Sequence, residues 1–317
     1  MLRLRLFLAL IIAGSLTLPL QAATITVADD GADYTSIQAA VDAAVSGQDE
    51  VVVSPGTYLE AINFNGKAIT LRSASGDPAD TIIDGTGNYH VVQCINGEGA
   101  GTVLEGFTIT GGNANGNFPD NVGGGMYNLI SSPTVSNCTF SGNTAYAGGG
   151  MYNYNSSPTV TNCILWGDSP DEIYTTSSST LTVSFSDVQG GLPANTVDGG
   201  GNIDADPLFV DADGPDNTAG TEDDDLRLSG GSPCIDAADT TALRVGVFTD
   251  LYGNLRGVDD PATADTGVSV FGVVVDMGAY EFQTGPCISQ LEGDINCDGI
   301  VNLLDLSLLA LHWLETI

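Results

Sequence analysis

Gly123–Asn143 reads GGGMYNLISSPTVSNCTFSGN, and Gly148–Asp168 reads GGGMYNYNSSPTVTNCILWGD. The second stretch is a near copy of the first, displaced so that Tyr127 recurs as Tyr152, Asn137 as Asn162 and Cys138 as Cys163. A period in the twenties, with no long helical pattern between copies, marks a solenoid whose repeat is one turn of chain. Within each copy, short runs alternate apolar and polar residues and stop at Gly, Asn or Ser. That pattern predicts two or three short strands per turn, each with one face inward. Stacked turns lie about 4.8 Å apart, so Asn, Ser and Cys are expected to form ladders of like on like.

Weaker copies extend the pattern both ways. Thr102–Gly111 sets Phe107 opposite Cys138, and Leu181–Gly190 brings Ser186 near the Cys163 position. Ala68–Ser73 and Thr81–Gly85 read as further short strands. Cys138 and Cys163 are read as two inward thiols in preference to a disulfide between turns, because Cys packs as a small apolar side chain. An open solenoid end is a bare sheet edge and needs a cap. Thr24–Ala28 alternates as a strand. A helix is then expected from Thr35, with Gln38 completing a capping box, Ile37, Ala40, Val41 and Ala44 on one face, and Gly47 at its end.

Charge narrows the function. The 317 residues contain 40 Asp+Glu against 7 Lys+Arg, a formal net charge of -33. Nucleic-acid binding and anchoring to an anionic membrane both need a basic surface, so both are disfavoured. Residues 1–23 read as a signal peptide: Arg3 and Arg5, the apolar run Leu6–Leu18, then Gln21, Ala22 and Ala23. The chain is therefore expected to be secreted, extracellular or on the cell surface, with no membrane span after cleavage. Six Cys without CxxC spacing, and only His90 and His312, weigh against zinc.

Two acidic stretches suggest Ca²⁺. Asp211, Asp213, Asp216, Asp223, Asp224 and Asp225 crowd one Gly/Pro-containing loop, which reads either as a second calcium site or as a solvated acidic loop. The better pattern follows a linker, residues 283–293. There Asp294, Asn296, Asp298, Asn302 and Asp305 take loop positions 1, 3, 5, 9 and 12, with Gly299 at position 6. A backbone wrapping round Ca²⁺ needs this alternation, and the Ile300 carbonyl supplies position 7.

The runs ADYTSIQAAVDAA (32–44), VVVSPGTY (51–58) and KAITLRS (67–73) resemble the start of right-handed parallel β-helix proteins of the pectate-lyase-like superfamily. CTFSGNTAYAGGGMYN (138–153) also resembles the repeats of chlamydial polymorphic membrane proteins. These resemblances imply an all-β, right-handed parallel β-helix solenoid with an N-terminal capping helix over residues 24–198. Residues 199–282 resemble the choice-of-anchor Q region and are expected to form the acidic end of that domain. Residues 294–317 resemble a type I dockerin repeat, a small loop–helix calcium module, although only one of the usual two repeats is present. That implies a cohesin-like or an intramolecular partner.

The superfamily resemblance implies extracellular polysaccharide as partner, by recognition or by cleavage. Lyases of this fold use Arg or Lys as base, for which the solenoid offers Lys67 and Arg72. Glycoside hydrolysis needs two carboxylates across the bond. Asp84, Glu105, Asp120, Asp168, Asp171 and Glu172 are available, and spacing selects no pair. The patterns of polygalacturonases and pectin methylesterases are absent, and a Ser-His-Asp triad has only His90 to draw on, so the choice between enzyme and non-catalytic adhesin stays open. Tyr127, Tyr152, Tyr154 and Trp166 recur along the turns. They read as an aromatic platform for sugar rings or, preferred, as packing between repeats.

Overall fold

The computed structural model describes residues 23–74, 81–87, 90–221, 223–243, 260, 262–270, 273–278 and 281–282. Among these, most of the short strands fall into three large parallel sheets, and Asn113–Ala114 pairs with Thr144–Ala145 in a small fourth. The first has eight strands: Thr24–Val27, Glu50–Val53, Thr70–Ser73, Val103–Glu105, Thr134–Ser136, Thr159–Thr161, Leu181–Ser184 and Thr196–Asp198. The second has six: Gly56–Leu59, Thr81–Asp84, Thr108–Thr110, Thr139–Phe140, Ile164–Leu165 and Asp187–Val188. The third has five: Ile62–Asn63, Val92–Cys94, Met126–Leu129, Met151–Tyr154 and Ile173–Thr175. Each circuit of the chain adds one strand to each sheet in turn, which is a parallel β-helix.

The register shows why this sequence winds this way. In the first sheet Val51, Leu71, Leu104, Val135, Val160 and Val183 are successive partners. In the second, Tyr58, Ile83, Ile109, Phe140, Leu165 and Val188 are. The third contributes Ile62, Val92, Met126, Met151 and Ile173. These three columns meet in one buried core. Each such side chain contributes roughly 1.5–3 kcal/mol by leaving water. Cys94, Cys138 and Cys163 are free, buried thiols of the same core, and Cys234 is a free, buried thiol elsewhere. Of the two readings of Cys138 and Cys163, the structure shows the inward thiols.

The corner between first and second sheets is a single left-handed residue. Gly106, Asn137, Asn162 and Phe185 occupy it in successive turns, all at positive φ. Asn tolerates that conformation by its short polar side chain, and the repeated Asn also forms the expected ladder, Asn162 Nδ2 donating to Asn137 Oδ1 (3.2 Å). A second ladder joins Asn128 Nδ2 to Asn153 Oδ1 (2.9 Å).

The cap departs in detail from the sequence reading. The helix is Ile37–Ala43, and Ser36, not Thr35, is its N-cap, accepting from Ala39 N–H at 3.2 Å. Gln38 does not close a capping box; it bonds Asp42 and Asn63 instead. Glu60 takes that role from the first coil, accepting from the N–H groups of Ile37 (2.6 Å) and Gln38 (3.1 Å). A carboxylate there suits the positive end of the helix.

Beyond Asp198 the chain adds one parallel bridge to the second sheet, Ile203 beside Asp187, and then turns back along that sheet. Its start is an antiparallel hairpin, Phe209–Asp211 with Asp225–Leu228. Cys234, Ile235, Ala237, Ala238, Val275 and Met277 then pack on Ile164. Asn162 locks the return in place: its side chain accepts from Asp239 N–H (2.9 Å) and donates to Asp239 O (3.0 Å), while its own carbonyl accepts from Gly278 N–H (2.9 Å). The acidic segment thus covers a flank of the solenoid rather than only extending its end.

Candidate functional site

The outer face of the third sheet carries the aromatic residues. Strand alternation there points Met126 and Met151 inward and their neighbours Tyr127 and Tyr152 outward, in register with Tyr174. The rings form a column. His90 stacks on Tyr127 with centroids 4.9 Å apart, Tyr127 lies 6.1 Å from Tyr152, and Tyr152 stacks on Tyr174 at 5.2 Å and 5°. Stacked and tilted pairs at these separations are favourable. His90 Nδ1 donates to Gly123 O (2.9 Å), and burial lowers its pKa, so the ring is neutral at physiological pH.

Exposure rises along the column. Tyr127 is 3% exposed and Tyr152 8%, whereas Tyr174 is 43%. Phe118, 60% exposed, tilts against Tyr154 at 6.3 Å, and Tyr154 and Tyr146 are exposed as well. Tyr127 and Tyr152 therefore form the base, while Phe118, Tyr154 and Tyr174 form an open rim. Trp166 belongs elsewhere: it packs on the cluster under the returning chain. Sequence reasoning missed Tyr174 and Phe118. Tyr174 follows from register with Tyr152, but its strand lacks the Gly-Gly-Gly-Met-Tyr-Asn signature. Phe118 lies in a loop outside the repeat.

Next to Tyr174 is an acidic corner. Asp168 is the copy of Asn143, one turn on, and the two form a ladder: Asp168 Oδ1 accepts from Asn143 N–H (2.7 Å) and from Asn143 Nδ2 (2.9 Å). Gly150 is Gly because a Cβ there would come within 2.5 Å of Asp168 Oδ2. Asp168 N–H donates to Glu172 Oε1 (3.1 Å). Both acids are buried, Glu172 at 4% exposure, and Asp168 Oδ2 and Glu172 Oε2 have no hydrogen-bond partner. Burial first, then the neighbouring Asp168 charge, pushes Glu172 up to about 10. Burial raises Asp168 to about 6. Together the two carboxyls keep one proton at neutral pH.

The ladder stops there. Where a next copy would follow, the chain turns instead, Gly191 N–H donating back to Val188 O (2.9 Å). Beside this turn lies an open cleft of about 440 Å³, with Asp168 and Glu172 on its wall.

The remaining candidates are spread apart. Lys67 Nζ donates to the carbonyls of Val41 (2.8 Å), Asp42 (2.5 Å) and Ala44 (3.0 Å), so it caps the C-terminal end of the helix. Arg72 pairs with Glu50. Neither reaches the aromatic face. Asp84 Oδ1 accepts from Thr86 N–H (2.6 Å), and Glu105 is buried in the first sheet. Asp120 Oδ1 lies 4.0 Å from His90 Nε2.

In the hairpin loop Asp216 accepts from Thr218 N–H, Asp224 from Gly220 N–H and Asp223 from Thr221 Oγ1, while Asp225 pairs with Arg227. Asp211 and Asp213 are exposed. Among the described residues no three His, Cys, Asp or Glu side chains are grouped to hold a metal ion, so these six carboxylates do not converge. Asp294, Asn296, Asp298, Ile300, Asn302 and Asp305 lie outside the described residues, as do residues 1–22. No described helix is long and apolar enough to cross a membrane.

No protein-family model matches the chain, and no curated protein matches it. Among solved structures it is similar to the pectin methylesterase from carrot, at 15% identity and a TM-score of 0.33, over 59% of this chain and 84% of that one. It is also similar to the pectin methylesterase from Aspergillus niger in deglycosylated form, at 15% identity and a TM-score of 0.31, over 57% of this chain and 84% of that one. The β-helix assignment rests on the strand registers and not on these likenesses.

Proposed function

We propose that this is an exported β-helix protein that recognises extracellular polysaccharide along the outer face of its third sheet. The observation that carries the reading is the aromatic strip: a buried stack of His90, Tyr127 and Tyr152 that continues into exposed Tyr174, with the exposed Tyr154–Phe118 pair on the same face. Sugar rings present flat C–H faces that pack on such rings, and a rim fixed from beneath binds with little loss of side-chain freedom. Recognition is preferred to cleavage because Lys67 and Arg72, the two described cations of the solenoid body, are engaged by the cap and by Glu50. The C-terminal loop at Asp294, Asn296, Asp298, Ile300, Asn302 and Asp305 is assigned to Ca²⁺, as a device for attachment or assembly on a cohesin-like partner or on the solenoid itself.

The test is binding of the full mature chain to a panel of immobilised polysaccharides, alongside Tyr154→Ala and Tyr174→Ala. Retention on at least one glycan, weakened about tenfold or more by either change, supports the reading; loss of one stacking ring costs on the order of 1–2 kcal/mol. Retention on none, or retention indifferent to both changes, refutes it. For the tail, protection of residues 294–317 from protease by Ca²⁺, reversed by EDTA, is the expected result.

A further inference from the structure

The aromatic strip ends at Tyr174, one residue from the lining of the cleft beside Asp168, and the chemistry of that cleft is one-sided. Pro170, Leu192 and Pro193 give it apolar walls, while Asp171 and Gln189 supply exposed polar groups. Its floor is the Asp168–Glu172 pair, both more than nine-tenths buried, each with one unpartnered oxygen. Tyr174 follows Ile173, a lining residue of the cleft, on the strand Ile173–Thr175. A ring stacked on Tyr174 therefore stands next to the cleft.

Among the described residues no cation serves this region: Lys67 caps the helix, Arg72 pairs with Glu50 and Arg227 with Asp225. Asp120 flanks the other end of the strip with a half-exposed side chain. A uronate carboxylate entering the cleft meets the negative floor and Asp171 with nothing described to neutralise it. A hexose hydroxyl, in contrast, can donate to Asp171 and accept from the Gln189 amide N–H, while Gln189 Oε1 is held by Gly167 N–H (2.9 Å).

Building on the glycan-binding reading of the strip, we infer that the cleft walled by Asp171 and Gln189 is a subsite for an uncharged hexose, and that its acidic floor excludes uronates. Like charges about 4 Å apart repel by about 1 kcal/mol in water and by more beside a protein wall, enough to weaken binding about tenfold at low salt.

The experiment is calorimetry on the full mature chain with three oligosaccharide sets of equal length: neutral hexose oligomers, polygalacturonate and fully deacetylated glucosamine oligomers. At low salt a neutral oligomer should bind at least about tenfold tighter than polygalacturonate, with the gap closing as salt screens the floor. Asp171→Asn keeps the acceptor that Gly148 N–H uses at 2.6 Å and should narrow the gap severalfold. Gln189→Trp, at an exposed position, should block the cleft and cost about tenfold on the neutral oligomer. Polygalacturonate binding as tightly as the neutral set overturns the inference. So does binding confined to the glucosamine set, or neutral binding indifferent to Gln189→Trp. Loss of binding by Tyr154→Ala and Tyr174→Ala with none by Gln189→Trp would leave the strip reading standing and remove the subsite alone. Absence of binding to every set removes both.

Discussion

The second and third sheets are built from the same repeat, yet their outer faces have opposite fates. On the second, Thr139 and Ile164 point outward and are covered by the returning chain, so closely that a Cβ on Gly278 would sit 2.6 Å from Ile164. On the third, Tyr127, Tyr152 and Tyr174 point outward and only their lower rings are covered. The covered face is closed by apolar contact and by the Asn162 lock. The open face ends in rigid aromatic rings and an acidic cleft. A solenoid flank of this kind is either satisfied by its own chain or left for a ligand, and side-chain chemistry separates the two.

The largest expected effect breaks the covered face. Ile164→Asp puts an unpaired charge at a position 1% exposed, under Cys234, Val275 and Met277. Burying such a charge should cost about 3–5 kcal/mol. Urea denaturation should show a midpoint lowered accordingly, and limited proteolysis should open residues 199–282 before the coils. An unchanged midpoint would mean that the return is not packed on the second sheet.

Next comes the acid pair, which joins the open face to pH. Glu172 is raised to about 10 against an unfolded value near 4.5, and Asp168 to about 6 against 3.8. Both folded values lie above the unfolded ones, so the native state holds more protons. Their contribution is fully present below about pH 4 and is lost progressively as pH rises toward 10. Each excess proton gives a slope of up to about 1.4 kcal/mol per pH unit. Melting temperature should therefore fall from pH 5 to pH 9, and Glu172→Gln should flatten that fall. Parallel curves for the two proteins would remove the shared proton.

Much of the fold was legible because the repeat is nearly literal. Asn137 and Asn162, like Cys138 and Cys163, stand one turn apart in sequence and on top of one another in space, so the offset between copies is itself a contact map. The cap was legible as a helix, but its N-terminal partner, Glu60, comes from a different turn and no local pattern announces it. Lys67 and Arg72 looked like free bases for the same reason, since the Val41 carbonyl and Glu50 that occupy them lie a full turn of chain earlier. At the site, the copy of Asn143 as Asp168 was visible. Its pairing with Glu172 was not, because a short irregular loop decides where that carboxyl falls. Tyr174 was hidden by a turn shorter than the one before it, which broke the repeat while preserving the register of Tyr152 with Tyr174.

The smallest effect sharpens the contrast within the open face itself. Tyr152 and Tyr174 are stacked partners of one chemistry at equivalent register positions. Tyr152 is held between Tyr127 and Tyr174 and is nearly buried, so Tyr152→Ala removes packing on both sides and should cost about 3 kcal/mol of stability. Tyr174 has a described ring neighbour on one side only, and Tyr174→Ala should stay within about 1 kcal/mol. Thermal melts of the two variants, read beside glycan retention, separate the roles: the base should lose stability, and the rim should lose ligand at almost unchanged stability. If Tyr174→Ala proved as destabilising as Tyr152→Ala, the rim would be packing of the same kind as the covered face, and the two flanks would differ in degree only.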